Sequence, residues 1–264
     1  MSDGVRSVGK AFDLLGAFQG DGAAELPLGV LAAHADLPKA TAHGLVKTLV
    51  EERALERTPN GYRLGLRLFE LGERVRIKRD LREAALPFLQ DLYEATHHTV
   101  HLAVLEGTDA IYLERIRPHR TMTIPSSLGG RLPAHCTGVG KALLAGCPDA
   151  QQRLGPGPLK ARTPYTITVP AVLGREFDRI RGTGVAIDRE EVGVGLGCVA
   201  AGIFVDGQTV AALSVSGPIA DININGLTVA VRAAANGVGR TLASGRSTNN
   251  RLTPSQRPPN RSPN

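Results

Sequence analysis

The sequence predicts an α+β fold in two parts, on three observations. Residues 28–64 carry two short helical patterns, a proline break and an Asn-Gly turn between short apolar runs. A longer helical pattern starts at Leu66. Beyond residue 99, apolar strands alternate with turns and a few helices, as in an antiparallel-rich sheet flanked by helices. These patterns divide the chain into 1–65, 66–80, 81–245 and a tail at 246–264.

Ser7 has the side chain to cap a helix over 7–18, with Phe12, Leu15 and Phe18 turned inward and Gly20-Asp21-Gly22 ending it. Leu28, Leu31, Ala32 and Ala35 then keep helical spacing, giving a short helix with one apolar stripe. Asp36-Leu37-Pro38 breaks it. Proline lacks an N–H and presets φ, so Pro38 suits the first position of a new helix. From there Ala42, Leu45, Val46 and Leu49 form a buried face. Lys39, Thr41, His43 and Lys47 lie opposite, short or cationic groups that reach bases and phosphates.

Two short strands follow, at 54–57 and 62–64, joined through Pro59-Asn60-Gly61. Arg57 and Arg63 flank that hairpin. Together these elements outline a winged helix-turn-helix, which places one helix in the DNA major groove and a hairpin on the flanking backbone. The same outline also fits any small α+β subdomain, and single Lys or His residues on a polar face are often merely solvated.

Next comes a linker helix over 66–78 (Leu68, Leu71, Val75), the charge run RIKRDLRE, and a helix to residue 95. The charge run reads as a solvated face, or as a surface facing a second copy of the chain, with Leu66, Phe69 and Gly72 as its stripe. Strands are expected at 99–105, 110–116, 184–188, 198–205 and 209–216. A helix is expected at 138–145 and a last one at 226–243. The tail is polar and rich in Pro and Asn, so it is expected to be disordered.

Composition narrows the class. The 264 residues are 42% hydrophobic, enough for a real core in two domains. No apolar run approaches the ~20 residues of a membrane span, and the N-terminus lacks the layout of a signal peptide. Cys136, Cys147 and Cys198 lie far apart without CxxC spacing, which fits reduced thiols in the cytoplasm. The net charge of +6 sits mostly on the tail, whose four arginines face no acidic residue; residues 1–80 and 81–245 carry only +1 each. DNA affinity would thus rest on local placement of Lys39, His43, Lys47, Arg57 and Arg63, with bulk charge secondary.

Enzyme signatures are missing. The Gly138–Ala142 run lacks the first glycine and the Ser/Thr of a phosphate loop, and the Gly193–Cys198 run is not GxGxxG. A hydrolase built on Cys136 and His135 has neighbours that seldom face each other and no orienting acid. His97, His98, His101, His135, Cys136, Cys198 and Asp188 show no metal-ligand spacing, and His101 reads as a surface or edge-strand residue. No catalytic residue, cofactor or metal is therefore expected.

A binding pocket has better candidates. Residues 133–142 form a turn entering a helix, whose unpaired N–H groups attract carboxylates. Asp188, Cys198, Ser214 and Ser216 lie on or beside strands, and the two serines share one side of theirs. On the residues alone, Cys198, Ser214 and Ser216 also read as ordinary strand positions. The pattern suits a small organic or aromatic acid. A sensor that acts through protein contacts, without DNA, is the alternative from another class.

Segments VRSVGKAFDLLGAF, LPKATAHGLVKTLVEERALER, GYRLGLRLFELG, LGGRLPAHCTGVGKALLA and GVAIDREEVGVGLGCVAAGIFVDGQTVAALSVSGP resemble the IclR family of bacterial transcriptional regulators, in family order over 5–245. The resemblance implies a winged helix-turn-helix, a linker helix and a GAF-like α/β effector domain. It also implies a double-stranded DNA operator, a small-molecule effector and assembly as a homodimer or dimer of dimers. Carried over residue by residue, it implies effector contacts at Thr137, Gly138, Val139, Asp188, Cys198, Ser214 and Ser216. The chain departs from the family's LPKSTVHRLL at Ala40, Ala42 and Gly44, where loss of the Arg removes a phosphate or guanine partner. Cys136 replaces the usual Ala, a change that implies a retuned pocket, and Gly202 stands where the family usually has Pro.

Overall fold

A computed structural model describes residues 6–19, 24–119 and 122–251, with the side chains of all of these except 76–79 and 246–251. The amino-terminal part contains α1 (Arg6–Gly16), α2 (Leu28–His34), α3 (Lys39–Glu51), β1 (Leu55–Thr58) and β2 (Gly61–Leu64). Its core is Leu14, Leu31, Ala32, Ala42, Val46 and Leu55, so the apolar faces expected on α2 and α3 meet each other and α1. Each large side chain buried this way contributes about 1.5–3 kcal/mol.

Three local expectations change. Ser7 lies inside α1 and does not cap it. Phe12 is 68% exposed while Leu14 is fully buried, with Leu15 and Phe18 packed at the core's margin. Phe12 and Leu14 are about 200° apart around a helix, and α2 and α3 cover the Leu14 side. Pro38 precedes α3 as its N-cap in extended conformation, and its carbonyl accepts the Ala42 N–H at 3.0 Å. The expected stop at Gly20-Asp21-Gly22 lies outside the described residues.

The wing forms with strands shifted by about one residue from expectation, pairing Leu55 with Leu64 and Thr58 with Gly61. Gly61 has φ of 150°, and a Cβ there would stand 2.3 Å from the Leu26 carbonyl oxygen. The glycine is required because Leu26 pairs with Tyr62 at that point, through bonds of 2.8 and 2.9 Å.

One continuous linker helix does not form. α4 (Leu66–Gly72) stops at Gly72, a turn covers 73–75, and α5 (Arg76–Thr96) carries on into the second domain. Glycine costs about 1 kcal/mol of helix propensity relative to alanine, which favours the break there.

The carboxy-terminal domain is a six-stranded sheet in which every paired neighbour is antiparallel. It contains β3 (Thr99–Glu106), β4 (Asp109–Ile116), β5 (Arg131–Pro133), β6 (Ala186–Arg189), β7 (Leu196–Val205) and β8 (Gln208–Pro218), in the order β5-β4-β3-β8-β7-β6. Asp206 and Gly207 both have positive φ, the two-residue hairpin turn expected between β7 and β8. α5 and α9 (Ile224–Arg251) cover one face, on a core that includes Leu89, Leu102, Val199, Leu213 and Val231. The other face carries α6 (Gly138–Ala145), α7 (Ala150–Leu154) and α8 (Pro170–Thr183), around Val139, Leu143, Leu173, Phe177 and Ala200. β5, α7 and α8 had no counterpart in the sequence reading. α9 runs past residue 243 into the segment expected to be disordered, with no proline before Pro254 to stop it; residues 252–264 lie outside the described residues.

Candidate functional site

On the amino-terminal domain, Lys39, Thr41, His43, Gly44 and Lys47 are all exposed along α3, while Ala42 and Val46 are buried beneath them. No side chain caps the first turn of α3, so its N–H groups and the positive end of its dipole face outward. Arg57 and Arg63 are exposed on the wing. Arg63 is partnered there: its Nε donates to Glu56 Oε2 at 2.8 Å. Lys47 lies 3.9 Å from Glu51, a weak surface pair that costs little to break. The expected cationic face therefore stands on the surface, with Arg63 pre-oriented by its strand neighbour.

In the second domain, β-register assembles a polar row. Thr99, Ser216, Cys198 and Asp188 stand directly opposite one another on β3, β8, β7 and β6, and His101 faces Ser214 in the next row. The N-terminus of α6 closes over these rows. A small enclosed cavity lies between them, lined by Gly138, Val139, Asp188, Cys198, Ser214 and Ser216. Six of the seven expected positions thus converge. Thr137 is the exception: its hydroxyl accepts the Gly140 N–H at 3.1 Å and caps α6, one step behind the lining. With Gly140 capped, the N–H groups of Gly138 and Val139 are left at the helix start. Gly138 is needed for the close approach, since a Cβ there would sit 2.6 Å from Cys198 Sγ.

Sequence reasoning missed His101, Tyr112, Ile124, Pro125, Leu132, Val192 and Leu196, which complete the walls. His101 corrects an expectation outright. It is buried on β3, a central strand of the sheet, and not at the surface or edge position expected from the sequence. Its Nε2 lies 2.7 Å from Ser126 Oγ, its Nδ1 3.5 Å from Ser214 Oγ, and its ring meets Tyr112 edge-to-face at 5.1 Å. Alternation along HTVHLAV does put Thr99, His101 and Ala103 on one face; only the pairing of β3 with β8 shows that this is the serine face. The connection from β4 to β5 lays Ile124, Pro125 and Ser126 over the cavity. The volume is about 20 Å³, room for one water, so an organic acid enters only if this cover shifts.

Electrostatics sharpen the site. Burial, reinforced by the Glu191 carboxylate, pushes Asp188 up to about 7, although its Oδ1 accepts the Glu191 N–H at 2.7 Å. Burial and the nearby Asp188 push the Cys198 and Cys136 thiols up to about 12, and burial raises the Tyr112 hydroxyl. Burial, then Arg115, hold His101 down at about 3, so the ring is neutral. Behind the cavity Lys141 is 1% exposed; its Nζ donates to the Ile187 carbonyl at 2.7 Å, is ion-paired with Glu191 and lies 3.6 Å from Glu176. The Cys136–His135 pair has no nucleophilic geometry. His135 Nε2 is 3.1 Å from the Lys160 carbonyl, and the Cys136 thiol is held protonated. A larger open groove of about 560 Å³ lies at the far end of α6 between Cys147, Arg181 and Phe204, and includes none of the expected residues.

Among the described residues, no helix is long and apolar enough to cross a membrane. Comparison with known proteins agrees with this architecture domain by domain. The IclR helix-turn-helix domain matches residues 7–59, and the bacterial transcriptional regulator IclR C-terminal domain matches residues 74–240. The HTH-type transcriptional regulator XynR of Escherichia coli (strain K12) is 34% identical over 217 residues, 80% of this chain and 86% of its own length. The HTH-type transcriptional regulator BhcR of Paracoccus denitrificans is 32% identical over 242 residues, 89% of this chain and 86% of its own. The crystal structure of an IclR homolog from Microbacterium hydrocarbonoxydans, complexed with 4-hydroxybenzoate, superposes with a TM-score of 0.81 at 28% identity, covering 90% of this chain and 99% of that one. The helix-turn-helix, the sheet domain and their order along the chain are those of one group: the protein belongs to the IclR family of bacterial transcriptional regulators.

Proposed function

We propose that this regulator binds a two-fold operator through α3 and its wing and is controlled by a small organic or aromatic acid held in the enclosed cavity. The observation that carries this reading is the convergence of Asp188, Cys198, Ser214 and Ser216 on the N-terminus of α6, far in sequence but joined by β-register. Hydroxyl and thiol donors facing free helix N–H groups in a closed apolar hollow suit a carboxylate. The acid bound in the Microbacterium relative supports the same ligand class. Lys39, Thr41, His43, Lys47, Arg57 and Arg63 are the proposed DNA contacts. Gly138, Val139, Asp188, Cys198, Ser214 and Ser216 are the proposed effector contacts, with Thr137 holding the helix start.

A second copy of the chain is the proposed partner. Val8 and Phe12 on α1, and Leu66, Phe69 and Leu71 on α4, are more than half exposed, too much apolar surface for a lone DNA-binding head. Dimerisation there places two α3 helices on half-sites a whole number of turns apart. An acid that binds one subunit arrangement more tightly shifts operator occupancy by that difference in affinity. The protein acts without turnover, in the cytoplasm. The test pairs two variants. Lys39→Ala weakens operator binding and leaves acid binding intact, whereas Ser216→Ala does the reverse; the opposite pattern overturns the division of labour.

A further inference from the structure

We propose that the cavity takes up a monocarboxylate together with one proton, and that Asp188 carries that proton. The inference rests on the reading of the cavity as an acid-binding site and adds the charge accounting of that site. The groups around Asp188 come from every element that encloses it. α6 supplies Lys141, α8 supplies Glu176 with Arg179 bonded to it at 2.7 and 2.8 Å, and the turn after β6 supplies Glu191. β7 supplies Cys198, β4 Tyr112, β3 His101 and the turn before α6 Cys136. Lys141 and Arg179 are matched by Glu191 and Glu176. Arg115 of β4 acts on His101 and Arg162 acts on Cys136, but neither lines the cavity. Asp188 itself accepts the backbone N–H groups of Glu191 and Val192 and feels Lys141 only through its charge.

Once the cover has shifted to admit it, a ligand carboxylate that meets the N–H groups of Gly138 and Val139 lies in the same hollow as Asp188. Two ionised carboxylates enclosed together, with no lysine or arginine among the residues that line the hollow, repel strongly, and one is protonated instead. His101 cannot offset the charge, because burial keeps its ring neutral. The thiols and the phenol donate hydrogen bonds but bring no positive charge. Asp188 already titrates near 7, so it accepts the proton at small cost and donates it back as a hydrogen bond to the ligand. Above pH 7 the proton comes from solution and the ligand stays an anion, so there the site's net charge does not change on binding. A dicarboxylate brings two charges for that one proton and is disfavoured.

The experiment measures binding of glycolate, benzoate, 4-hydroxybenzoate and succinate to the full chain by calorimetry, at pH 6.0 and 8.5. The affinity of the monocarboxylates is expected to fall about thirtyfold across that range, as Asp188 loses its proton above 7. Repeating the wild-type titration at pH 8 in buffers of different ionisation enthalpy is expected to show close to one proton taken up per ligand, and close to none at pH 6. Asp188→Asn, whose Oδ1 can still accept the Glu191 N–H, is expected to flatten the pH dependence to less than twofold. The proton count needs no variant, so a misfolded Asp188→Asn leaves it decisive. Monocarboxylates that bind with flat or rising affinity and no proton uptake overturn the proposal while the acid site stands. Succinate binding as tightly as benzoate does the same. If none of these acids binds at either pH, the acid-site reading falls and the proposal with it.

Discussion

The ring of His101, on a central strand, meets the hydroxyl of Ser126 at 2.7 Å, and this contact ties the cover of the cavity to its floor. The neutral ring carries a pH signature. Burial holds its pKa at about 3 against 6.5 in the unfolded chain, so between those values the unfolded state binds a proton that the native state does not. Stability from this group is complete above about 6.5 and is lost as pH falls towards 3. Wild type is therefore expected to gain about 1.4 kcal/mol per pH unit relative to His101→Gln over pH 4–6. Denaturant unfolding of both proteins at several pH values checks this, and a constant difference refutes it.

Lys141 is the most exacting buried group. Its ammonium ties α6 to the Ile187 carbonyl, Glu191 and Glu176. Lys141→Met leaves the buried Glu191 carboxylate without its cation, while Glu176 keeps Arg179, and is expected to cost about 3–5 kcal/mol. Adding Glu191→Gln is expected to return part of that loss, read as the coupling in a double-mutant cycle of unfolding free energies.

Gly138→Ala tests the fit of α6 against the sheet. The new Cβ would lie 2.6 Å from Cys198 Sγ and 3.4 Å from the Ala200 Cβ. Overpacking of this kind costs about 1–3 kcal/mol. The expected result is a lower unfolding midpoint and a loss of acid binding, with Gly138→Ala/Cys198→Ala recovering stability.

The recognition face offers a gain-of-function test. A Cβ on Gly44 meets nothing within 4 Å, so Gly44→Ala is expected to stabilise the domain by up to about 1 kcal/mol in thermal unfolding. Gly44→Arg adds a cation on the same exposed face and is expected to tighten duplex binding. Lys39→Ala and Arg57→Ala are each expected to weaken binding and to lower the slope of log affinity against log salt by about one. Equal slopes for variants and wild type would remove those residues from the interface.

The winged head was legible because its signals are local: Pro38 breaks the chain, the 42–49 face repeats at helical spacing, and the Asn60-Gly61 pair marks the hairpin. Even there the reason for Gly61 was long-range, since Leu26 passes within 2.3 Å of where its Cβ would be. Phe12 was misplaced because its helix has apolar groups on two sides and only packing against α2 and α3 selects Leu14. In the second domain, resemblance supplied the positions of Asp188, Cys198, Ser214 and Ser216, and register alone supplies His101 and Tyr112, which lie 113 and 102 residues from Ser214 in the chain. The linker read as one helix because Leu68, Leu71 and Val75 keep the period, yet the chain turns at 73–75.

The most direct test of the account is selection of duplexes from a random-sequence pool by the full chain, beside a Lys39→Ala/Arg57→Ala variant. The account predicts enrichment of a two-fold symmetric site whose halves are a whole number of helical turns apart, lost in the variant and modulated by a carboxylic acid that fills the cavity. A pool that emerges as random as it entered, or one that enriches equally with the variant, contradicts it.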